Sequence, residues 1–90
     1  MDTKAMRKVA HAVAAELGVK LGKGWTDTAV NGDKRVAWRL WGKDAADKAD
    51  KVAKRLRTKV PYSIMVRRTS PDGKGAPYAG GEYIRVRVPK

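Results

Sequence analysis

The chain contains no cysteine and no phenylalanine, a single histidine, four prolines, and only nine acidic residues among 90. Without cysteine there is no disulfide framework, no thiol nucleophile and no cysteine-ligated zinc site. That usage fits a reducing compartment. One histidine, His11, gives no Ser/His/Asp constellation from which to build a nucleophilic enzyme. No stretch approaches the roughly 18 consecutive apolar residues of a membrane span. The segment Met1–Lys8 carries charges with no apolar run after them, so it does not read as a secretory signal, and the expected location is the cytoplasm. No phosphate-loop run occurs, and Gly73-Lys74-Gly75 lacks the later glycine of a dinucleotide fingerprint. No cofactor and no metal are therefore expected.

What is present is positive charge. Lys and Arg number 21, which gives a formal net charge of +12 and a pI near 10.4, while 42% of residues are hydrophobic. That hydrophobic share is too high for a disordered tail, and the length suits one small domain spanning residues 1–90. The charge is uneven. Residues 1–50 hold 10 basic and 7 acidic residues, whereas residues 51–90 hold 11 basic and 2 acidic. From Lys51 to Ser70 there is no acid at all. A field of this sign and asymmetry attracts polyanions and accelerates their encounter.

Periodicity predicts six elements. A first helix spans about Lys4 to Leu17, capped by Asp2 or Thr3 and ended by Gly18. Its buried stripe is Met6, Val9, Ala10, Val13 and Leu17, with Lys4, Lys8 and His11 on the solvated side. Next comes a hairpin, with Val19, Leu21 and Trp25 on one strand and Val36, Trp38 and Leu40 on the other. Asn31-Gly32 between them signals a type I′ turn, which would set Trp25 opposite Trp38 with both indoles on one side. Gly22-Lys23-Gly24-Trp25 reads as a bulge or loop. A second helix spans about Asp44 to Lys59. Acids crowd its start and bases its end, and Ala45, Ala49, Val52, Ala53 and Leu56 form its buried stripe. Pro61 ends it. The last hairpin pairs Tyr62–Thr69 with Glu82–Val88 across a long Ser70–Gly81 loop that carries Tyr78.

The order αββαββ, with Lys8-Val9-Ala10 echoed by Lys51-Val52-Ala53, predicts an α+β two-layer sandwich. A four-stranded antiparallel sheet would carry both helices on one face. This order is similar to the paired units of LAGLIDADG homing endonucleases, whose helix ends in a catalytic acid. Here the first helix ends Ala14-Ala15-Glu16-Leu17-Gly18 and the second ends in basic residues, so the similarity stops at the order of elements.

Strand alternation then fixes the uncovered face. With Val36, Trp38, Leu40, Ile64, Val66, Ile84, Val86 and Val88 against the helices, the other side carries Arg35, Arg39, Trp41, Met65, Arg67, Tyr83, Arg85 and Arg87. Guanidinium forks take phosphate in a bidentate way, and exposed aromatics stack on unpaired bases. The expected activity is non-catalytic binding of DNA or RNA. Arg35, Arg39, Arg67, Arg85 and Arg87 would contact phosphate or base, Trp41 and Tyr83 would stack, and Lys51, Lys54, Arg55 and Lys59 would add backbone contacts. The alternative is a small inhibitor or adaptor, of the type phages use to modulate a host, docking on an acidic protein partner through the Tyr78 loop. A third reading is a metal-dependent nuclease using Asp27, Asp33 or Glu82. It lacks a close acidic pair, and Asp44, Asp47 and Asp50 already serve capping and ion pairing. The two sheet edges offer a route to a homodimer.

Overall fold

Asp2 starts the first helix. The Ala5 N–H donates to its carboxylate at 2.8 Å, and α1 runs Thr3–Glu16. Its end is a Schellman turn. Gly18 adopts φ +67°, the Val19 N–H reaches the Ala14 carbonyl at 2.8 Å, and the Gly18 N–H reaches that of Ala15 at 3.1 Å. This turn corrects one expectation. Leu17 is the cap residue and is 40% exposed, while Val19, two residues on, takes the buried place. The computed structural model describes residues 2–22, 24–41, 44–68 and 82–89, Arg67 and Arg68 by their backbone. The Ser70–Gly81 connection and its Tyr78 lie outside the described residues.

The remaining elements are β1 (Gly24–Thr28), β2 (Lys34–Leu40), α2 (Ala45–Arg57), β3 (Ser63–Arg68) and β4 (Glu82–Val88). The strands form one antiparallel sheet in the order β1-β2-β4-β3. The two αββ units therefore meet second strand to second strand, leaving β1 and β3 as the edges. Val19 and Leu21, expected within the first strand, precede it. The Gly22 N–H still bonds to the Arg39 carbonyl at 2.8 Å, one residue out of the 24–28 register, as at a β-bulge.

The turn between β1 and β2 is where the sequence reading fails. A type I′ turn needs positive φ at both central residues. In this turn only Gly32 has it, at +91°, and among the described residues no non-glycine residue does. The Gly32 N–H bonds to the Ala29 carbonyl at 2.9 Å and the Ala29 N–H to the Asp33 carbonyl at 2.7 Å. The loop is thus three residues, Val30-Asn31-Gly32, with the glycine in the left-handed position after a type I-like turn. One extra loop residue shifts the register by one and reverses every side chain of β1. Trp25 pairs with Ala37, not Trp38, and Gly24 is the residue opposite Trp38. The two indoles stand on opposite faces.

Both helices pack on the face built from Val36, Trp38, Leu40, Ile64, Ile84, Val86 and Val88. Met6, Ala10 and Val13 of α1 and Ala49, Val52, Ala53 and Leu56 of α2 complete one core. Each fully buried Leu, Ile, Val or Met side chain there contributes about 1.5–3 kcal/mol. Trp38, 1% exposed, is its largest member. A Cβ on Gly24 would stand 2.8 Å from the Trp38 Nε1, so the bare glycine is what admits the indole. His11 is solvent-exposed as expected, yet its ring meets Trp38 edge-on at 6.3 Å. Arg7 hydrogen-bonds Thr26 and ties α1 to β1. Arg57 donates to the Ile64 carbonyl at 2.9 Å and ties α2 to β3.

Candidate nucleic-acid interface

The uncovered sheet face is a grid of side chains in three rows. Antiparallel pairing places Trp25, Ala37, Arg85 and Met65 in one row, and Asp27, Arg35, Arg87 and Ser63 in the next. A third row holds Arg39, Tyr83 and, by backbone pairing, Arg67. Ala37 is 1% exposed although it lies on this side, so it forms a small floor between the larger Trp25 and Arg85. Among the described residues, no helix packs on these rows.

The rows divide into two chemistries. At the β2 C-terminal end the residues are aromatic and cationic. The Arg39 guanidinium carbon lies 5.3 Å from the Trp25 ring centroid and 5.8 Å from that of Trp41, so the cation sits between two indoles. Trp25 also meets Tyr83 at 5.7 Å and 60°. Trp25 is 36% and Trp41 48% exposed, a large share for the most apolar-bodied side chains in the chain. On the helical side of the sheet, beside Trp41, lies a separate hollow of about 290 Å³ lined by Leu21, Gly22 and Leu40 and flanked by Lys20 and by Lys48 of α2.

At the other end the face is guanidinium-rich. Arg35, Arg85 and Arg87 surround an open hollow of about 210 Å³ with Ser63, Met65 and the hairpin residues Ala29 and Val30. Two of these arginines are held by carboxylates. Arg35 makes a two-point pair with Asp27, Nε to Oδ1 at 2.6 Å and Nη2 to Oδ2 at 3.0 Å. Arg87 Nε meets the Asp33 Oδ2 at 3.0 Å, and the Asn31 amide donates to the same oxygen at 3.0 Å. The turn thus orients Arg87. Both pairs are solvent-exposed, so each adds at most about 1 kcal/mol, and their larger effect is to fix the direction of a long side chain. Arg85 donates to the Met65 sulfur at 3.0 Å, a weak acceptor that a phosphate oxygen readily replaces.

The expected contact residues therefore divide between two sides of the molecule. Arg35, Arg39, Trp41, Tyr83, Arg85 and Arg87 share the open face, and the Arg67 backbone lies in one of its rows. Lys51, Lys54, Arg55 and Lys59 do not join them. They are exposed on the helical layer, where Arg55 pairs with Glu16 of α1 at 3.7 Å. One ligand segment cannot touch both sets, because the helices that carry the second set cover the far side of the sheet.

Trp25 is the residue that the sequence reading missed, and a signal for it was present. A two-residue loop would have turned Asp27 toward the core beside Val36. The three-residue loop sets it opposite Arg35, and that charge pair is visible in the residue types. Among the described residues, no group of three His, Asp or Glu stands together as a metal site, and no helix is long and apolar enough to cross a membrane. No protein-family model, curated protein or solved structure matches the chain.

Proposed function

We propose that the chain is a non-catalytic nucleic-acid-binding protein whose ligand lies on the open face of the sheet. The observation that carries this reading is the convergence of Arg35, Arg85 and Arg87 with the Trp25–Arg39–Trp41 cluster on one uncovered surface. Guanidinium groups held in fixed directions suit phosphate oxygens, and the net charge of +12 supplies long-range attraction. The basic face of α2 contributes to that attraction only from the opposite layer.

Fluorescence anisotropy with labelled DNA and RNA, at low and near-physiological salt, tests this. Binding should persist at the higher salt. Replacing Arg85 and Arg87 together by Ala should weaken it by roughly tenfold or more for each lost charged hydrogen bond. Weak binding that vanishes with salt and ignores both arginines would reduce the charge to generic attraction. An acidic protein partner, retained after nuclease digestion in a pull-down, would then become the better reading.

A further inference from the structure

The width of the open face bears on the form of nucleic acid it takes. Four strands about 4.8 Å apart span roughly 14 Å before side chains are added. The major groove of B-form DNA is about 12 Å wide and admits a two-stranded ribbon, not a four-stranded face. A duplex laid on this sheet would meet it through phosphates alone and would leave the aromatic corner unused, because its bases present only their edges. The side chains at that corner offer ring faces instead. Trp25 and Trp41 are both substantially exposed, and the Arg39 guanidinium lies close to both rings. Flat π-surfaces of this kind engage bases that have left a duplex.

One hollow continues the same pattern. The guanidinium-lined hollow at Arg35, Arg85 and Arg87 is open and polar enough for phosphate. It lies toward the N-terminal end of β2, and the aromatic corner lies toward the C-terminal end of the same strand.

We propose that this face selects single-stranded nucleic acid, with the phosphate chain over Arg35, Arg85 and Arg87 and bases stacked at Trp25 and Trp41. This rests on the nucleic-acid reading above and adds the strandedness, the division of labour and the footprint. From Arg35 to Trp41 the chain advances about 20 Å at about 3.3 Å per residue, which accommodates roughly six nucleotides of a stacked strand.

The test uses one labelled oligonucleotide sequence in three forms: single-stranded DNA, single-stranded RNA, and annealed duplex. Anisotropy is read beside intrinsic tryptophan emission. Both single strands should bind at least tenfold more tightly than the duplex and quench the emission, with affinity levelling off near six nucleotides. Trp25→Ala and Trp41→Ala should each cost roughly 5- to 150-fold in single-strand affinity, while Trp25→Phe, which keeps a ring, retains most of it. Neither aromatic change should alter the salt slope. Arg85→Ala with Arg87→Ala should reduce that slope by about 1.4. Duplex binding as tight as single-strand binding, without quenching, overturns the single-strand inference and leaves the nucleic-acid reading standing. Absence of binding in all three forms overturns both. Thermal midpoints of the variants within a few degrees of the parent separate lost contacts from lost fold.

Discussion

Gly24 and Trp38 show how a single missing side chain sets the shape of an edge. The indole occupies space that any Cβ on Gly24 would enter, 2.8 Å from Nε1 and 2.9 Å from Cδ1. Those atoms belong to a wedged ring in the core, so they cannot swing away as a flexible chain would. Gly24→Ala should therefore destabilise the fold by about 1–3 kcal/mol, the usual cost of overpacking. Chemical denaturation measures it, and an unchanged midpoint would mean that the strand yields freely at that point. The arginines differ at this scale too. Arg35 and Arg87 each have a carboxylate to orient them, whereas Arg85 leans on a thioether. Arg85 is accordingly the residue whose guanidinium changes partner at least cost when an anion arrives.

The two helices begin with the same residue type but not the same chemistry. Asp2 accepts the Ala5 N–H, while Asp44 precedes α2 without a side-chain cap bond. Asp2→Ala should cost about 1 kcal/mol, which for a domain of this size lowers the melting temperature by about 4–8 °C. Asp44→Ala should cost distinctly less in the same melt. Equal losses would show that both act through charge at the helix N-terminus and not through the hydrogen bond. The element boundaries were largely readable. β4 runs Glu82–Val88 as expected from Ile84, Val86 and Val88, and both helices end within two residues of their expected limits. Periodicity serves well there because burial on one face enforces it. Loop geometry did not yield in the same way. Asn-Gly fits both a two-residue turn with two left-handed residues and a three-residue turn with one, and the residue types alone favour the former. The long-range consequence, that Trp25 faces away from Trp38, follows only once Asp27 is matched to Arg35. Leu17 was misjudged for a related reason: helical spacing continues to count past the point where a cap has already turned the chain.

The described residues form a flat body, with a Cα envelope of 34 × 32 × 18 Å and basic side chains on both layers. The screening length at physiological salt is about 8 Å, less than the thickness of a helix laid on a sheet. A ligand on the open face therefore feels Lys51, Lys54 and Lys59 only weakly unless salt is low. Changing those three lysines to Gln should reduce affinity at low salt and leave it nearly unaltered near physiological salt. The Arg85 and Arg87 changes should matter at both, and titrations at two ionic strengths compare the sets directly. If the lysine variant instead loses most of its affinity at physiological salt, the helical layer holds the ligand.

The three-residue turn has an evolutionary consequence. Most surface loops tolerate a gained or lost residue, because nothing beyond the loop depends on its length. Between β1 and β2 the length sets parity. Deleting one residue of Val30-Asn31-Gly32 would return the hairpin to the even count, carrying Trp25 inward and Asp27 with it, while Thr26 and Thr28 emerge in their place. A descendant of this chain can exchange many of its exposed residues one at a time. It cannot shorten this loop by one residue without trading Trp25 and Asp27 on the open face for two threonines.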